Sequence, residues 1–440
     1  MPLFLPILVT CNTNDELIEN NVRINSDKNL EWLKSVKEHD QNAILVGGGA
    51  SVGDFVEEIK KLKSEGGTIF AMNGASKWLT DKGIEVDFQC IADAKEETSS
   101  LVDQKAKRHI IGSQVHPKTM DSVKNPLVWH LGIKDIENLF PEEKVKKGGY
   151  VILGGGRSVG NSATCVAFAL GFRKLHIFGF DSCHKEGKSH IYDQGMNALI
   201  PTIKTIWADR EFISSVAMKA QAERFMFTSR HLIKAGCDIK VYGDGLLQTM
   251  FNTKYEDLSE REKYQLMWDF DSYRESSPGE RVVDLFIDIV NPKGKVIDFG
   301  CGTGRAGIKI REKGLDVLLI DFTDNCRDEE AQSIPFIQCD LTKKIPAKSE
   351  YGFCTDVMEH IPTKDVETVI RNILNSAKTV FFQISTIEDS MGELIDQPLH
   401  LTVKPHSWWR DLFTSLGYEI LWNDSNEINA LFVVRQEAIC

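Results

Sequence analysis

The 440-residue chain has no Cys-x-x-Cys pair, no apolar run of bilayer length and no block of consecutive basic residues. Each absence removes a class of protein. Ten cysteines scattered without a framework look like reduced thiols, which sets aside a disulfide-stapled scaffold and points to a cytoplasmic setting. A membrane helix needs about 20 apolar residues, so no membrane partner is expected. The apolar opening Met1 to Val9 is short and lacks a basic leader and a small-residue cleavage site, so it reads as a first strand and not a signal peptide. A net charge of −12, from 52 Lys and Arg against 64 Asp and Glu, disfavours nucleic acid, whose non-specific attraction needs clustered cations. Cys183, His184 and His190 follow no zinc spacing.

What is present is globular material, 42% hydrophobic and 26% charged, long enough for two domains. The pattern predicts an α/β chain of two doubly wound domains, each a mostly parallel sheet with helices on both faces, the second Rossmann-like with a closing antiparallel hairpin over Tyr418 to Arg435. The boundary falls near residue 250, giving 1–250 and 251–440. Residues 251–280 contain the charged, helix-prone stretch Tyr255 to Tyr264 and then Trp268 and Tyr273, read as a linker or lid whose aromatics either cover a ligand or pack as core.

The most informative segment is Val296-Ile297-Asp298-Phe299-Gly300-Cys301-Gly302-Thr303-Gly304-Arg305. An apolar strand ends in an acid, and three glycines at alternate positions then let bare backbone approach a ligand. The acid two residues before the first glycine would repel a pyrophosphate, so a cationic nucleoside fits better. The segment resembles motif I of class I S-adenosylmethionine-dependent methyltransferases. That resemblance implies that Asp298, Gly300, Cys301, Gly302 and Gly304 hold the amino-acid end of the cofactor. It further implies that Asp321 and Phe322, after the strand Val317 to Ile320, face the ribose, that Asp340 and Leu341 face the adenine, and that Asp356 and Val357 lie beside the transferring methyl. His360, at a helix start, is more often a packing residue than a base. His400, past the strand Thr379 to Ser385, is the candidate base on the acceptor side. The chain carries no Asn-Pro-Pro-Tyr-like or Pro-Cys acceptor motif of the DNA methyltransferases, so a small-molecule, nucleotide or glycan acceptor is expected.

The first half repeats a strand, glycine loop and helix. Ala43 to Val46 leads into Gly47-Gly48-Gly49-Ala50-Ser51, and Tyr150 to Leu153 into Gly154-Gly155-Gly156-Arg157-Ser158-Val159-Gly160-Asn161-Ser162. Such loops offer N–H groups at a helix N-terminus to phosphate. Further strands end at Asn73-Gly74, at Asp93 and at Gly179-Phe180-Asp181. Over about residues 40–245 this succession resembles the MptE-like and Maf-like proteins, related to bacterial sialyltransferases. The resemblance implies nucleotide binding by Gly47, Gly48, Gly49, Ser51, Asn73, Gly74, Asp93, Gly155, Gly156, Ser158 and Asn161. Two chemistries stay open. Diphosphate transfer from ATP would cluster Asp87, Asp93 and Asp181 around Mg2+, whereas sugar transfer from a CMP-sugar would use His190 as base, with Tyr192 nearby. Alternatively this half is an inactive nucleotide- or glycan-binding module that presents substrate to the second. The whole organisation resembles phage proteins, which implies host cytoplasm, and the sequence neither requires nor excludes a homo-oligomer.

Overall fold

The structure, a computed structural model, describes residues 13–131, 152–153, 158–193, 200–255 and 258–436. The expected first strand at Met1 to Val9, and Gly154, Gly155, Gly156 and Arg157 of the second glycine loop, lie outside the described residues. The chain divides into two compact units, Met1–Lys254 and Tyr255–Cys440. Among the described residues no helix is long and apolar enough to cross a membrane.

The strands of the first unit are β1 (Glu31–Trp32), β2 (His39–Val46), β3 (Thr68–Met72), β4 (Phe88–Ile91), β5 (Arg108–Gly112), β6 (Leu127–Leu131), β7 (Ile152–Leu153), β8 (Phe172–Phe178), β9 (Ile203–Trp207), β10 (Arg210–Ser214) and β11 (Asp238–Tyr242). A parallel sheet runs β1-β6-β5-β4-β3-β2-β8-β11, with β7 beside β6, while β9 and β10 form a separate antiparallel pair. The inner strands carry apolar runs at their carboxyl ends, as burial by helices on both faces requires; the last four residues of β2, Ala43 to Val46, are all fully buried. From β2 the chain steps outward through β3 to β6 and then returns to the other side at β8. The carboxyl ends of β2 and β8 therefore flank a topological switch point, where doubly wound sheets place their ligands. The helix expected after the first glycine loop begins as a 3-10 turn, Ala50–Phe55, before the α-helix Val56–Ser64.

In the second unit β12 (Lys295–Phe299), β13 (Asp316–Asp321), β14 (Phe336–Gln338), β15 (Ser349–Thr355), β16 (Ala377–Ser385), β17 (Tyr418–Ser425) and β18 (Asn429–Gln436) are ordered β14-β13-β12-β15-β16-β18-β17. All neighbours are parallel except the closing β17–β18 hairpin and its join to β16. Alternate residues feed opposite faces, as a strand's period of two dictates: Ile297, Phe299, Leu318 and Ile320 enter one core, Val296, Val317 and Leu319 the other. The switch point here lies between β12 and β15. It sets the glycine loop after β12 against Asp356 after β15.

Candidate active sites

In the first unit a cavity of about 460 Å3 opens at the β2–β8 switch point. Gly47, Gly48, Gly49, Asn73, Asp93, Ser158, Asn161, Asp181 and His190 all line it. Ser51 and Gly74 instead touch lining residues, Ser51 bonding Asp181 and Gly74 lying against the Tyr192 ring.

Three N–H groups of the first glycine loop are taken by the chain itself. Gly47 donates to Phe178 O (2.8 Å), Gly49 to Gly179 O (2.8 Å), and Ser51 N to Asp181 Oδ2 (2.8 Å), with the Ser51 hydroxyl on Asp181 Oδ1. A carboxylate of the chain's own thus caps the helix start that was to cradle phosphate. The glycines serve close approach instead: a Cβ on Gly47 would stand 2.5 Å from Gly179 O, and one on Gly48 2.4 Å from the Tyr192 hydroxyl. The second loop keeps the expected geometry over its described part. Ser158 caps the helix Val159–Ala169 by accepting from Asn161 N (3.2 Å), and Ser158 to Ser162 form one wall of the cavity. A helix N-terminus facing a cavity favours an anion there.

Asp181 is 2% exposed, and burial pushes its carboxyl up although the Ser51 bonds pull the other way. It positions the loop more than it faces a ligand. Asp93 lines the cavity and accepts from Lys95 N (3.0 Å). Asp87 does not join them. It precedes β4 while Asp93 follows it, so a four-residue strand of about 13 Å lies between. There Asp87 accepts from Ile69 N (2.8 Å) and pairs with Lys63 and with Lys107 (3.2 Å), bonds that hold its carboxyl low despite the opposing effect of burial. The carboxylate cluster expected around magnesium is therefore not assembled by Asp87.

Residues 184–192 fold over the first loop. Ile191 N donates to Gly48 O (2.9 Å), and Lys185 pairs with Asp54. Burial, then the neighbouring His184, lowers the pKa of His190, so its imidazole is neutral at pH 7 and able to accept a proton. Burial raises the Tyr192 phenol, keeping it protonated. The sequence reading missed Lys95, Gln114, Ser215 and Gln221, which also line the cavity. Ser215 carried a signal, because it caps the helix Val216–Lys234.

In the second unit Gly300, Gly302 and Gly304 all adopt left-handed backbone, with φ of +70°, +50° and +80°. Gly300 N and Cys301 N donate to Ile320 O (2.7 and 3.0 Å), pinning the loop to the end of β13. Asp321 Oδ2 accepts from Gly302 N (2.9 Å) and Oδ1 from Thr323 N (3.1 Å), so part of its hydrogen-bonding capacity is spent orienting the loop. Asp298 is 2% exposed with Oδ2 unpartnered, and burial, with Asp321 nearby, pushes its carboxyl up to about 7. Buried Cys301 keeps its thiol protonated for the same reason. Phe322 is half-buried after β13, and its carbonyl accepts from Gln338 Nε2 (3.3 Å). Asp340 turns back onto Thr342 N (2.8 Å), and Leu341 packs into the core. Asp356 sits at φ +53°, held by Gln383 Nε2 (2.6 Å), its carboxyl raised by burial to about 6, and Val357 packs against Gly300.

The helix Glu260–Met267, started by a Ser259–Glu262 capping box, brings Trp268 over the loop: a Cβ on Gly302 would meet its ring at 3.0 Å. Tyr273 packs on Trp268 (4.8 Å between centroids), and Tyr264 reaches His360 Nδ1 (2.7 Å). His400 stands edge-on to His360 (4.7 Å between centroids), its Nδ1 on Ile387 O (2.7 Å). Burial, with His400 adjacent, lowers His360 to about 3. His360 and Glu359, neither among the expected site residues, thus gather with His400.

These arrangements define a chain of two units, each with a candidate site at its switch point. Residues 15–187 match the family model described as 6-hydroxymethylpterin diphosphokinase MptE-like, and residues 270–423 the one described as Methyltransferase domain. The chain therefore joins an MptE-like segment to a methyltransferase domain. It is 26% identical over 98 residues to the YqeM protein of Bacillus subtilis (strain 168), spanning 37% of that relative's length. Among solved structures it resembles a Maf glycosyltransferase from Magnetospirillum magneticum AMB-1 at 16% identity (63% of this chain, 46% of that one, TM-score 0.42). It also resembles the magnesium protoporphyrin IX methyltransferase of Synechocystis PCC 6803 with bound SAM, at 16% identity (41% and 99%, TM-score 0.32).

Proposed function

We propose that the second unit transfers the methyl group of S-adenosylmethionine to a small-molecule, nucleotide or glycan acceptor. The observation that carries this reading is the unpartnered, buried Oδ2 of Asp298 beneath a loop whose three glycines all have positive φ. A buried carboxylate oxygen without a donor is costly unless a cation or donor arrives. Asp298 and the loop would hold the cofactor's amino-acid end, Asp321 its ribose, Asp340 and Leu341 its adenine, with Trp268 closing over it. The cofactor supplies an electrophilic methyl on a sulfonium; the protein aligns it with the acceptor and excludes water. Asp321→Ala is expected to weaken cofactor binding by about 2 kcal/mol, roughly 30-fold, in isothermal titration. Unchanged affinity would remove the site assignment.

For the first unit we infer transfer from a nucleotide-linked sugar of the CMP type, with His190 as base. The remoteness of Asp87 and the engagement of Asp181 with Ser51 favour this over magnesium-assisted diphosphate transfer. The full chain is expected to bind CMP without magnesium, and Ser158→Ala to weaken that binding roughly 5-fold through the lost helix cap. Binding of ATP only with Mg2+ would select the diphosphokinase chemistry. CMP binding without turnover of any donor would select a presenting module.

A further inference from the structure

Beyond the glycine loop, the second unit assembles a donor set that the methyl-donor site does not use. Glu359, His360 and His400 each offer a ligand atom, and the three atoms lie within 4.8 Å of one another. We propose that Glu359, His360 and His400 bind a divalent first-row transition-metal ion that takes an oxygen of the methyl acceptor as a further ligand.

Glu359 is fully buried. Its Oε1 accepts from Ser385 N (3.0 Å), while Oε2 has no partner. No ion pair to it is formed among the described residues: Lys263, on the helix Glu260–Met267, is spent on Glu260 and on Pro398 O (3.1 Å). A carboxylate left this way either stays protonated or faces a positive charge. Both histidines are held as metal ligands usually are, through the other ring nitrogen. Nδ1 of His400 lies 2.7 Å from Ile387 O, a carbonyl that can only accept, which leaves its Nε2 with the lone pair; Nδ1 of His360 lies 2.7 Å from the Tyr264 hydroxyl and 3.1 Å from Leu399 O, and the tautomer that donates to this pair leaves its Nε2 free in the same way. Two imidazoles and a carboxylate suit zinc, cobalt or iron better than magnesium or calcium, which prefer oxygen. Bond lengths near 2.1 Å would draw the three donors to about 3.4 Å apart in tetrahedral geometry, a side-chain-scale movement open to half-buried His400. Three protein donors also leave coordination open, as catalytic sites do.

The place of the cluster gives it a task. Glu359 follows Asp356 at the end of β15, and His400 lies past β16, the side from which the acceptor is expected, so the catalytic part of this inference rests on the methyltransferase reading. A hydroxyl bound to such an ion loses its proton to water near neutral pH. His400 would then act as a ligand and not as the base.

The test is Co2+ added to the chelator-stripped full-length chain, followed by equilibrium dialysis and visible absorption. One equivalent should bind with a ligand-field band typical of low coordination, and His400→Gln should weaken it at least ~10-fold. Glu359→Gln should do the same, with circular dichroism confirming that it folds. No band, or equal Co2+ affinity in the half-exposed His400→Gln variant, overturns the proposal. S-adenosylmethionine titrated into the same samples keeps the two readings apart: Co2+ binding without cofactor binding supports the metal site while counting against the methyl donor.

Discussion

Gly300→Ala is expected to abolish cofactor binding and to lower the unfolding temperature of the C-terminal unit. At φ +70° an L-residue costs about 1–2 kcal/mol in backbone strain. The added Cβ would also stand 2.3 Å from Val357 Cγ2, and overpacking of a filled site costs about 1–3 kcal/mol more. Relief requires either Val357 or the loop to move, and Val357 directly follows Asp356 at the switch point. Gly314 supplies the control. Its φ is +84° but nothing lies within 4 Å of its Cβ, so Gly314→Ala should show the strain alone and leave affinity untouched. Calorimetry and cofactor titration of both variants check this, and Gly300→Ala binding within threefold of the parent would refute it.

The parts of the sites that were legible in the sequence are those in which one short segment does the work. Asp298 to Gly304 declares itself because an acid and three glycines must be neighbours to form the loop, and the strand that ends at Asp321 follows at one helix's length. Ser158 to Ser162 is legible for the same reason. What was hidden depends on partners far along the chain. Nothing in Gly47 to Ser51 announces that Asp181, 130 residues later, accepts from the Ser51 N–H. Nothing near Asp87 in sequence shows that Lys63 and Lys107 claim its carboxylate. Residues Glu359 and His360 read as a helix start, and only the return of the chain after β16 brings His400 against them. Local motifs report backbone geometry; the pairing of charges is a tertiary property.

Asp298 makes the second large effect, a pH dependence whose sign is fixed by its burial. In the unfolded chain its carboxyl titrates near 3.9, whereas in the folded, ligand-free protein it is held up to about 7. Below the lower value both states carry the proton and Asp298 leaves stability unchanged. Between about pH 4 and pH 7 the unfolded chain releases the proton and the folded one keeps it, so this group lowers stability by about 1.4 kcal/mol per pH unit, levelling off above 7. Cofactor binding runs the opposite way. A cationic ligand prefers the ionised carboxylate, so binding to the protonated site must first expel a proton, and affinity should fall as pH drops below about 7. Between pH 8 and pH 5 the loss approaches 100-fold, about 2.7 kcal/mol. Asp298→Asn keeps the shape and removes the charge. It should bind weakly at every pH, lose this dependence, and gain stability above neutrality because no buried charge remains to be formed. Titration calorimetry across that range, parent against Asp298→Asn, separates this group from Asp356, whose carboxyl is also raised and remains in both proteins. Parallel pH profiles in the two would mean that Asp298 does not face the cation.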